Sequence, residues 1–140
     1  KVSKKNISFL GVTFKANTDD MRDSSCLTMI PELSKKGSVI KYYDPTGYKN
    51  DFKKYKNVHY IKSIDKCVEN ADLIIIHTEW NDFKSLNFNK LIKSKRTIIY
   101  DMRNLYSPSK MKKLNVLKFI SMLSVLVLIS SCNIPLVPFI

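Results

Sequence analysis

Short apolar runs alternate along the chain with apolar positions at helical spacing. The run over residues 7–14, interrupted by Gly11, passes straight into a polar segment carrying Lys15, Asp19, Asp20 and Arg22. That order predicts a buried parallel strand that delivers a charged loop at its carboxyl end. Residues 39–43, 58–61, 73–76 and 97–100 predict four further short strands, and the last leads into Asp101, Arg103 and Asn104. Between strands, Leu27, Ile30 and Leu33 predict a helix over residues 24–36. Ser24 or Ser25 would cap it, Pro31 would bend or break it, and Gly37 would end it. Residues 63–70 predict a second helix with Ile64, Cys67 and Val68 inward, and residues 86–92 a short third one. Residues 44–47 read as a turn, 48–57 as an exposed loop or short helix, and 77–83 as a polar and aromatic strand-end loop. The alternation predicts an α/β fold, a small doubly wound Rossmann-like domain with a mainly parallel sheet.

The pattern changes at Met111. Residues 1–110 suffice for one domain with a modest core. Residues 111–140 form an atypical tail, basic at first and without any charged residue from Phe119 to Ile140. Taken alone, this tail has the basic and apolar regions of a secretory signal, with a lipoprotein-like box at Ile129-Ser-Ser-Cys132. Signals of that kind act at an amino terminus. A docked carboxyl-terminal helix, a fused or shifted tail, and membrane association are therefore the open readings.

The net charge of +12 comes from 24 basic and 12 acidic residues, and the excess is mostly scattered lysine. Scattered lysine favours solubility and anionic partners in general. Nucleic acid is not the expected partner, because recognition-helix patterning, zinc-finger spacing and regular aromatic interleaving are all missing. Three well-separated cysteines, Cys26, Cys67 and Cys132, read as free thiols in a reducing, cytoplasmic compartment. The first residues lack an initiator methionine, so the chain is expected to begin inside a longer one.

The candidate chemistry lies in two strand-end clusters. Lys15 and Arg22 after the first strand and Arg103 after the last supply cations for an anionic ligand. Arg103 offers a planar fork for phosphate or sugar oxygens, whereas Lys15 offers a mobile point charge. Lys15 or Arg22 could instead form surface ion pairs with Asp19 or Asp20, and Arg103 could pair with Asp101 or Asp82. Asp44 stands where a dinucleotide fold holds a ribose, but the glycine-rich fingerprint is missing. Cys26 and Cys67 fall at helical positions without an adjacent base, and His59 and His77 do not support a metal site.

The segments Leu10-Gly-Val-Thr-Phe-Lys-Ala-Asn-Thr-Asp-Asp-Met-Arg-Asp-Ser24, Tyr43-Asp-Pro45, His77-Thr-Glu-Trp80 and Tyr100-Asp-Met-Arg-Asn-Leu-Tyr106 resemble the carboxyl-terminal UDP-binding domain of the UDP-glucose 6-dehydrogenase family. The resemblance covers roughly residues 5–110. It implies an NAD-dependent oxidation of UDP-glucose to UDP-glucuronate through a cysteine-linked intermediate. It also implies that Phe14, Lys15 and Arg103 meet the substrate, that Arg22 lies beside NAD, and that Asp19 and Asp20 orient these cations and their loop. Glu79 and Trp80 are expected to be structural. The family's dinucleotide-binding and central domains, with the catalytic cysteine, are not represented in the chain. The expected role is therefore the substrate-binding portion of the enzyme, which does not turn over alone. The alternatives are a non-catalytic remnant, a UDP-sugar-binding module, and a membrane-tethered protein.

Overall fold

The computed structural model describes residues 3–111, 113 and 118–121. Six strands form one sheet: β1 (Asn6–Leu10), β2 (Val39–Tyr43), β3 (Val58–Tyr60), β4 (Leu73–Ile76), β5 (Ile98–Asp101) and β6 (Lys118–Ser121). Their order is β3-β2-β1-β4-β5-β6, and every pairing is parallel. The helices are α1 (Cys26–Lys35), α2 (Ile64–Val68), α3 (Asn81–Lys84), α4 (Phe88–Leu91) and α5 (Pro108–Met111). The chain winds outward from β1 to β3, then crosses back so that β4 pairs with the other side of β1. This reversal makes the carboxyl ends of β1 and β4 a topological switch point, where doubly wound sheets bind their ligands.

Because side chains alternate across a strand, the sheet carries a core on each face. Ile7, Phe9 and Ile75 pack with Cys26, Ile30 and Tyr42 in one cluster. Leu10, Ile74 and Ile76 pack with Cys67, Phe83, Phe88 and Ile99 in the other. Strands covered on both faces explain why residues 73–76 are a continuous apolar run.

Several local expectations are corrected. β1 ends at Leu10 rather than at residue 14, because Gly11, whose N–H still donates to Tyr43 O at 2.8 Å, turns the chain with φ +76°. α1 turns Cys26, Ile30 and Ser34 inward while Leu27 is 37% exposed. The spacing i, i+4, i+8 is as helical as the Leu27 set, and Ser34 is drawn in because its hydroxyl donates to Asn57 Oδ1 at 2.6 Å. Pro31 does not break α1, which continues to Lys35 with buried Ile30 and Ser34 on either side of it. Gly37, with φ +81°, closes the helix by donating to Ser34 O. Of the two readings for 48–57, the short helix holds, as one 3-10 turn over Asn50–Phe52, and the segment is not wholly exposed: Lys49 and Phe52 are buried, and the Phe52 ring meets Tyr42 edge-on at 5.4 Å.

The sheet runs past residue 110. Met111 is buried, and residues 118–121 pair with β5. The run 122–140, on which the membrane reading mainly rests, lies outside the described residues. Among the described residues, no helix is long and apolar enough to cross a membrane.

Candidate functional site

At the switch point, β1 and β4 approach so closely that only a glycine fits at position 11. An added Cβ would lie 2.5 Å from Thr78 Cβ. The loop after β1 is then fastened by Asp44, at the end of β2. One Asp44 oxygen accepts the Val12 N–H at 2.8 Å and the Thr13 N–H at 3.3 Å; the other accepts the Thr46 N–H and hydroxyl at 3.0 and 2.6 Å. A buried carboxylate with this many donors is a structural clamp.

Asp101, at the end of β5, does the same for the next loop. Its oxygens accept the Arg103 and Tyr106 N–H groups, each at 3.0 Å. Burial pushes this carboxyl up from its ordinary value, while the N–H donors of residues 103–106 pull it down. The turn it holds projects Arg103 back across the sheet end. There Arg103 Nε donates to His77 O and Nη2 to Phe14 O, both at 2.8 Å. One guanidinium thus joins the loops that follow β1, β4 and β5.

His77 is buried beneath this junction, with Nε2 2.8 Å from Ser25 Oγ and Nδ1 3.1 Å from Thr78 Oγ1. Desolvation, then the nearby Arg103 charge, push its pKa down to about 4. It is neutral at pH 7. The expected cap on α1 is correspondingly divided: Ser25 turns to His77, while Ser24 Oγ accepts the Cys26 N–H at 3.3 Å and donates to Val12 O at 2.6 Å.

The family model for the UDP-glucose/GDP-mannose dehydrogenase family, UDP binding domain, matches residues 8–108, most of the chain and all of these strand-end loops. The chain belongs to this family. It is 40% identical over 115 residues to UDP-glucose 6-dehydrogenase of Rickettsia conorii, covering 79% of this chain and 26% of that protein. It is 38% identical over 113 residues to the enzyme of the same name from Rickettsia bellii, with the same coverage. In structure it is similar to a UDP-D-ManNAc dehydrogenase from Pyrococcus horikoshii, with a TM-score of 0.68 and 30% identity over 89% of this chain and 27% of that one. The chain spans about a quarter of the length of the curated relatives it matches.

In this UDP-binding domain, the residues singled out from the sequence fall into two groups. Phe14, Lys15 and Arg103 lie at the switch point, with the Phe14 side chain 46% exposed and its carbonyl held by Arg103. Lys15 is exposed, and its carbonyl accepts the Thr13 hydroxyl at 3.1 Å. Farther along the same loop, Arg22 forms a forked ion pair with Asp20, whose two oxygens lie 2.7–3.1 Å from Nε and Nη2. The guanidinium holds the Asp20 carboxyl down at about 2. The Asp20 carbonyl also accepts the Phe14 N–H. Asp19 is exposed, and its carbonyl accepts from the buried Lys49 ammonium at 3.5 Å. Glu79 is exposed and Trp80 buried; the Trp80 indole N–H has no hydrogen-bond partner among the described residues. Arg103 pairs with neither Asp101 nor Asp82 through its guanidinium in the bonds it makes to the two carbonyls. The clamp role of Asp44, the relay through His77 and Thr78, and the burial of Lys49 were not legible as site features. A buried carboxylate in a turn looks like any Asp-Pro in a sequence.

Asp44 also decides how this domain stands toward NAD. Both Asp44 oxygens are engaged, one by the Val12 and Thr13 N–H groups and the other by the Thr46 N–H and hydroxyl, and Gly11 alone opens the first loop. The residues do not fit a dinucleotide seated in this sheet's own crevice.

Proposed function

We propose that this domain is the UDP-sugar-binding portion of an NAD-dependent UDP-glucose 6-dehydrogenase. The reading is carried by one observation: Arg103 brings the end of β5 onto the Phe14 carbonyl, so that Phe14, Lys15 and a guanidinium share the switch point of the sheet. The family match and the relatives' names support the substrate class. In this reading the exposed Phe14 ring packs against the ligand and Lys15 and Arg103 meet its anionic or sugar oxygens. The Arg103 bonds to carbonyls fix the fork before the ligand arrives, which reduces the ordering cost of binding.

NAD enters this reading only at the edge. Arg22 would face the cofactor from the loop after β1, while hydride transfer and the cysteine chemistry belong to the dinucleotide-binding and central domains implied by the family. What these residues do themselves is bind and orient the nucleotide sugar.

The test is calorimetric titration of UDP-glucose into the 140-residue chain, with Lys15→Ala and Arg103→Lys as variants. Saturable binding weakened about tenfold by each variant supports the reading, the magnitude being that of one charge-assisted contact. The absence of binding by the folded chain would favour a non-catalytic remnant. Binding indifferent to both variants would move the site elsewhere.

A further inference from the structure

The proton on every group around His77 is assigned by a carbonyl at one end of the chain of contacts. Thr13 O can only accept, so the Thr78 hydroxyl, 2.8 Å away, donates to it. Thr78 Oγ1 then has only lone pairs left, and His77 Nδ1 at 3.1 Å must carry the hydrogen. His77 Nε2 is therefore bare and accepts the Ser25 hydroxyl at 2.8 Å. The order is Ser25 to His77 to Thr78 to Thr13, each donating to the next.

This relay ends one residue before Phe14, whose own carbonyl is held by Arg103. Arg103 in turn holds His77 O. Two successive residues of one loop, Thr13 and Phe14, are thus stitched to two successive residues of the other, His77 and Thr78. The Thr78 hydroxyl makes one stitch and Arg103 makes the other. Only the Arg103 stitch reaches the exposed face, and the Thr78 hydroxyl lies fully buried.

We propose that Thr78 is a positioning residue for the ligand-facing segment Phe14–Lys15, acting through the Thr13 carbonyl and through the His77 tautomer that it imposes. The proposal rests on the UDP-sugar reading for its ligand, but its structural half does not. The groups that face His77 are Ser25 at the start of α1, Asp44 at the end of β2, Arg103 after β5 and Thr78 beside it. Ser25 is a donor to the bare nitrogen and Arg103 a cation that disfavours further protonation. The Asp44 carboxylate favours protonation, but it is the weakest of these influences.

The experiment uses the 140-residue chain labelled with nitrogen-15 at pH 7. Imidazole two-bond correlation spectra read the His77 tautomer, amide exchange reads the order of Phe14 and Lys15, and calorimetry reads UDP-glucose affinity. The wild-type chain is expected to show His77 with hydrogen on Nδ1. Thr78→Val keeps the shape of the side chain but removes the hydroxyl. It is expected to shift the tautomer toward Nε2–H, to speed exchange of the Phe14 amide about tenfold, and to weaken UDP-glucose about tenfold. Thr78→Ser restores all three. Ser25→Ala keeps the Nδ1–H form, since the tautomer is set from the Thr78 side.

An Nε2–H tautomer in the wild-type chain overturns the proposal, and this readout stands even where Thr78→Val does not fold. Unchanged exchange at Phe14 in a folded Thr78→Val protein also overturns it, as does unchanged affinity where the wild type binds. If the wild type binds no UDP-glucose while tautomer and exchange respond as expected, the positioning of Phe14–Lys15 stands and the substrate reading fails.

Discussion

A Cβ atom on Gly11 would lie 2.5 Å from Thr78 Cβ, so the two residues cannot both carry side chains where β1 and β4 end. Gly11 also sits at φ +76°, a backbone region that costs an L-residue about 1–3 kcal/mol. Gly11→Ala therefore combines strain with overpacking against a backbone-anchored neighbour. A loss of about 3 kcal/mol is expected in urea unfolding. A neutral Gly11→Ala would mean that the strand ends separate readily, and the switch point would not be the rigid seat described.

Asp44 is the acceptor for two buried N–H groups of the loop after β1. Asp44→Ala orphans the N–H groups of Val12 and Thr13, at about 1–3 kcal/mol for each buried unsatisfied group. A net loss of about 3 kcal/mol is expected, with Asp44→Asn losing less because one oxygen is kept. Equal losses for the two variants would show that the charge, rather than the acceptor count, holds the loop.

His77 should make the domain acid-sensitive in a defined window. Its pKa falls from an ordinary 6.5 to about 4 in the fold. Above pH 6.5 both folded and unfolded chains are neutral at this site, and its contribution is complete. Between pH 6.5 and 4 the unfolded chain takes up a proton that the folded chain refuses, so stability falls as pH falls. The total is about 3 kcal/mol. Urea midpoints between pH 4 and 7 for the wild type and His77→Gln should diverge in that window. Parallel curves would remove His77 as the cause.

Burial should silence two thiols. Desolvation pushes Cys67 up to about 12 and Cys26 higher still, and both are buried. In a Cys132→Ser background, Ellman's reagent is expected to release no thiolate from the native chain within minutes and two equivalents in guanidinium. Rapid native labelling would mean that α1 or α2 opens from the sheet on that timescale.

The short strands, the helices between them and the doubly wound class are readable from residue order, because each element writes its own period into a few consecutive positions. The motif segments likewise place Phe14, Lys15 and Arg103 at strand ends from residue order alone. Periodicity does not say which residues of distant segments touch. Asp44 reaches Val12 across 32 positions and Arg103 reaches the Phe14 carbonyl across 89. Those contacts depend on parallel register and on the close approach of Gly11 to Thr78, which only the assembled sheet produces. The same holds for the rotation of α1, where Leu27 and Cys26 compete on equal helical spacing until Asn57 draws Ser34 inward. Residue order thus determined the elements and the cations they carry, while tertiary structure decided which carboxylates are clamps and where the one bridging guanidinium points. Local periods are set by neighbours in the chain, whereas partners for buried polar groups are set by whatever the fold brings within hydrogen-bond reach.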